Sequence, residues 1–78
     1  MDGLKNIRAE IDGIDSKLRE LLSKRYELSK EIGIFKKSNQ IQVLDLKREH
    51  TILDKAKECS EQVHHVFVKI IEESKKLQ

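Results

Sequence analysis

The 78 residues suffice for one domain, and a chain this short buries only about 60% of its unfolded surface, so it needs a partner or a staple. Cys59 is the single cysteine, which excludes a disulfide framework and points to a reducing, cytoplasmic setting. A net charge of +2 with 4% aromatics argues against a nucleic-acid surface, and with neither an apolar signal core nor a ~20-residue apolar run no membrane partner is expected.

Proline is absent and glycine occurs only at Gly3, Gly13 and Gly33, so stop signals are scarce and the chain reads as all-α. The first helix is expected from about Leu4 to about Lys37, roughly 50 Å at 1.5 Å per residue. Helical steps along it pass through Leu4, Ile7, Ile11, Ile14, Leu18, Leu21, Leu28, Ile32 and Phe35, a seam interrupted only by Arg25. A compact chain of this length has a radius of gyration near ~12 Å. Such a helix therefore projects into water with its seam uncovered, and dimerisation is the expected remedy.

The polar tripeptide Ser38-Asn39-Gln40 breaks the pattern. A second amphipathic segment is expected from about Val43 to Glu58, with Ile52, Leu53 and Ala56 inward. A third begins at Ser60, an N-cap residue followed by the first-turn acid Glu61, and carries Val63, Val66, Phe67, Ile70 and Ile71 on one face. Residues 1–78 thus form a single domain of three helices, one long and two short.

Each apolar stripe turns polar at one place. Helical steps back from Ile52 reach Arg48, Glu49 and Asp45, and steps forward from Ile70 reach Ser74 and Gln78. Lys36 follows Arg25 by eleven residues, hence is rotated from it by about 20° and displaced by roughly 16 Å. Arg25, Lys36 and Arg48 are then directed inward beside an amide, a hydroxyl and two carboxylates. Unpaired buried charge costs several kcal/mol, so the set calls for an anionic occupant or for mutual pairing.

Simpler readings exist for each residue taken alone. A polar residue in a helical seam can fix register or oligomeric state. Asp45 and Arg48 can form a first-turn ion pair, and Ser74 and Gln78 can belong to the solvated end of a helix. Their coincidence at the polar ends of stripes that must pack together favours a site. Metal and nucleophile chemistry find no support: adjacent His64 and His65 point to different faces, Ser74 lacks a defensible His/Asp partner, and Cys59 has no adjacent cation.

The stretch "LKNIRAEIDGIDSKLRELLSKR", then Lys36, "DLKRE" and "IIEESKKLQ", resembles the all-helical chorismate mutases of the shikimate pathway, over Leu4 to Gln78. The resemblance implies isomerisation of chorismate to prephenate in phenylalanine and tyrosine biosynthesis, without metal or cofactor. It assigns Arg25, with Ser74 nearby, to a substrate carboxylate, and Arg48 to carboxylate binding. Lys36 donates to a carboxylate and to the ether oxygen, Gln78 donates to the ether oxygen, and Glu49 with the backbone at Asp45 holds the ring hydroxyl. Arg8 reaches into the partner's site.

Helix geometry agrees on Arg8. It lies seventeen residues from Arg25, roughly 25 Å along the helix and about 100° around it, too far for both to touch one small molecule. An antiparallel two-fold partner brings Arg8 of one chain beside Arg25 of the other, giving an intertwined helical homodimer. An isochorismate pyruvate lyase-like enzyme and a non-catalytic helical dimerisation module are the alternatives.

Overall fold

The computed structural model describes residues 2–39 and 45–78. Three helices account for nearly all of them: α1 (Asp2–Ser38), α2 (Leu46–Cys59) and α3 (Glu61–Leu77). The fold is all-α, with one long and two short helices, as expected. No described helix is long and apolar enough to cross a membrane.

Helix α1 begins two residues before the expected Leu4, with Asp2 in its first turn, where a carboxylate favours the positive end of the helix dipole. At the other end Lys36 and Lys37 occupy the last turn, and Asn39 donates to the Phe35 carbonyl from both its backbone N–H (3.1 Å) and its side-chain amide (2.8 Å). The expected start of α2 at Val43 falls outside the described residues. Asp45 caps α2, its carboxylate accepting from the Arg48 backbone N–H at 3.0 Å. Ser60 serves two helices at once, donating its N–H to Ala56 O (3.3 Å) at the end of α2 and accepting from Val63 N (3.1 Å) at the start of α3. One extended residue therefore turns the chain between them.

Helix α3 is the centre of the packing, because both α2 and the C-terminal part of α1 lie against it. Its stripe supplies buried Ile70 and Ile71, joined by Ala56 of α2. Val66, expected on the same face, is instead exposed at 57%. At 100° per residue it falls about 90° from the middle of the stripe, on a flank that neither neighbouring helix covers. On α1 the only buried residues are Ser29 and Gly33. At Gly33 α3 crosses so closely that an added Cβ would lie 2.9 Å from Gln78 Cα and from the Leu77 carbonyl oxygen.

The rest of α1 extends past the other helices. The chain measures 57 × 24 × 14 Å with a radius of gyration of 16.1 Å, well above the ~12 Å of a compact chain. The whole predicted seam is exposed, from 38% at Ile32 to 64% at Leu21.

Candidate active site

The polar ends of the three stripes converge on one pocket of about 300 Å³. Its apolar wall comes from Leu28 and Ile32 of α1, Ile52 of α2 and Ile71 of α3. Around that wall stand Arg25 and Lys36 from α1, Asp45, Arg48 and Glu49 from the start of α2, and Ser74 and Gln78 from the end of α3. Every site residue expected from the sequence lines this cavity except Arg8. Arg8 belongs to the far end of α1, beside Asp2, Lys5 and Asp12.

Local bonds hold several of these groups in place. The Arg25 guanidinium donates to Ser74 Oγ, and that hydroxyl donates to the Ile70 carbonyl at 2.8 Å, so Ser74, only 4% exposed, both gives and receives. Ser29 Oγ donates to the Arg25 carbonyl at 3.1 Å, which satisfies a buried hydroxyl in the pocket lining. No buried side-chain nitrogen or oxygen among the described residues lacks a partner. Gln78 is fixed by its backbone, whose N–H donates to Lys75 O at 3.2 Å, and by the close approach of its Cα to Gly33. Asp45 both caps α2 and lines the pocket.

Two polar lining residues, Ser29 and Lys75, lie off the predicted stripes. Lys75 projects from the flank of α3 opposite Val66, and its Nζ stands 2.8 Å from Glu49 Oε1. The row from Phe67 through Ile71 in steps of four leads to it, whereas the row through Ile70 leads to Ser74. With Lys75 included, four cations face two carboxylates around the cavity, an excess of two positive charges. The arrangement suits a small dianion with an apolar body. Among the described residues no group of three or more His, Cys, Asp or Glu side chains is placed to hold a metal ion.

Residues 7–78 match the sequence family described as chorismate mutase type II. The chain belongs to that family. No curated protein and no solved structure matches it significantly. The matched stretch of this chorismate mutase type II domain takes in Arg8 and every residue lining the pocket.

Proposed function

We propose that the protein is a chorismate mutase, converting chorismate to prephenate for phenylalanine and tyrosine biosynthesis. The observation that carries this reading is the convergence of Arg25, Lys36, Arg48, Ser74 and Gln78 around an apolar wall, in a chain of this family. Chorismate is a dianion whose two carboxylates flank the atoms that react. Arg25 and Arg48, approaching from different helices, grip both carboxylates and hold the flexible substrate in its compact, chair-like conformer. That removes rotational entropy from the barrier.

In the rearrangement the ether C–O bond breaks as a C–C bond forms within the same molecule, and no proton, leaving group or external nucleophile takes part. Negative charge grows on the ether oxygen. Lys36 and the Gln78 amide donate to it there, in a pocket where such donors act more strongly than in water. Glu49 and the backbone at Asp45 receive the ring hydroxyl.

A second copy of the chain completes the site. The exposed seam of α1 is an apolar face some 50 Å long, and among the described residues a core of Ala56, Ile70 and Ile71 is small for a chain of this size. An antiparallel partner covers the seam and delivers its Arg8 to the pocket. The single exposed thiol of Cys59 supports a cytoplasmic setting, and residues 1–78 act as one domain.

The test is incubation of the purified protein with chorismate and, separately, with isochorismate, followed by product identification. Prephenate from chorismate supports the reading. Pyruvate released from isochorismate, with chorismate untouched, makes the pocket a lyase, and binding of neither leaves a dimerisation module.

A further inference from the structure

The ion pair between Lys75 and Glu49 differs from the pairs Glu27–Lys30, Lys69–Glu72, Lys69–Glu73 and Glu73–Lys76. Those join neighbours within one helix, and each partner's side chain is at least 38% exposed. The Lys75–Glu49 pair instead links α3 to α2 across the pocket, and the Glu49 side chain is only 18% exposed. Exposed pairs contribute little, whereas a partly desolvated pair fixes the position of both its groups.

Position matters here because of what surrounds Glu49. Its side chain has three rotatable bonds, and Arg48, its neighbour in sequence, lines the same cavity. A carboxylate able to swing onto Arg48 would neutralise a cation that the substrate needs. Lys75 holds Oε1 at the α3 wall, and since an ionised carboxylate has roughly four lone-pair sites, capacity remains for a hydroxyl donor.

We propose that Lys75 is a positioning residue for substrate recognition, holding the Glu49 carboxylate where it accepts the ring hydroxyl of chorismate. The inference rests on the pocket being a chorismate site. It makes Lys75 part of the discrimination between chorismate and the same molecule without the hydroxyl, the kind of difference a hydrogen-bonding site detects well.

The test compares chorismate with an analogue carrying hydrogen in place of the ring hydroxyl, using the parent, Lys75→Met and Lys75→Arg, each checked for folding by its melting curve. Loss of one charge-assisted hydrogen bond predicts that Lys75→Met lowers kcat/KM for chorismate roughly tenfold more than for the analogue, the loss common to both being the missing charge. Lys75→Arg, which keeps the ion pair, should restore most of the difference. Equal losses on both substrates would mean that Lys75 acts only through its charge or through folding, and no loss on either would mean that Glu49 needs no holder; both results overturn the inference. A folded parent that turns over neither substrate would overturn the proposed function, and this inference with it.

Discussion

Replacing Arg25 with leucine separates the demands of the site from those of the fold. Leucine continues the seam between Leu21 and Leu28, and the structure shows what is lost: the bond from the guanidinium to Ser74 Oγ. Ser74 keeps its own bond to the Ile70 carbonyl, so Arg25→Leu removes one donor to a hydroxyl whose proton stays satisfied. That loss costs about 1 kcal/mol. Against it stands the replacement of a half-buried cation by an apolar side chain, a change that is often neutral or stabilising by ~1–4 kcal/mol where the ion is well buried. Because Arg25 is only partly buried, that gain sits at its low end, and the two effects leave the fold within about 1 kcal/mol of the parent, a shift in melting temperature of less than about 8 °C for a chain of this size. Catalysis has no such compensation: on the proposed role of Arg25 a cation for substrate carboxylate is gone, and kcat/KM should fall at least about 100-fold. Melting curves, light scattering for oligomeric state and initial rates on chorismate measure all three quantities. The reasoning is refuted if Arg25→Leu unfolds or changes its oligomeric state while activity per folded molecule survives; Arg25 would then set register.

Two further substitutions address the end of α3. Gln78→Glu should be poor at neutral pH and partly recover in acid, because a glutamate donates to the ether oxygen only when protonated and its reference pKa is about 4.3; a pH–rate profile shaped like the parent's would remove Gln78 from the chemistry. Gly33→Ala adds a residue that favours helix by about 1 kcal/mol, so α1 is not weakened, yet its Cβ meets backbone atoms of Leu77 and Gln78 at 2.9 Å and must push them away. Overpacking against backbone costs ~1–3 kcal/mol, so the melting temperature should hold or fall modestly despite the helix gain. The displacement predicts a kcat loss of roughly 10- to 100-fold per folded molecule, and an unaltered kcat would show that the approach of α3 to Gly33 does not position Gln78.

Much of the pocket was legible because helical periodicity converts spacing directly into direction. Arg25 and Lys36 on α1, Arg48 and Glu49 on α2, and Ser74 and Gln78 on α3 all follow from extending apolar rows by threes and fours, and the structure brings them to one cavity. Periodicity says less about flanks. Val66 and Lys75 lie on opposite edges of the α3 stripe, and which edge is covered depends on where α1 and α2 approach, a property of pairs of helices. The notch at Gly33 is of the same kind, since glycine inside a helix reads only as a weak point until a neighbour is seen crossing it. Asp45 shows a further limit: beside Arg48 in the sequence it reads as an ion pair, whereas the bond from the Arg48 N–H shows that it caps α2. For Arg8 a single chain gives position and no destination.

The central claim, that chorismate mutase chemistry takes place in a pocket completed by a second copy of the chain, is tested most directly by complementation. Arg8→Ala and Arg25→Ala should each be nearly inactive, because every site in either homodimer lacks a cation. When the two variants are unfolded together and refolded, random exchange makes about half of the dimers mixed, and two-fold symmetry gathers both lesions into one site of each mixed dimer. The other site then has Arg25 from one chain and Arg8 from its partner. Half the sites in half the dimers predicts recovery of roughly a quarter of parental activity on chorismate, with none when either variant is refolded alone. A mixture that stays inactive although mass spectrometry detects mixed dimers would contradict the shared site, and with it the placement of Arg8 beside Arg25 across the α1 seam.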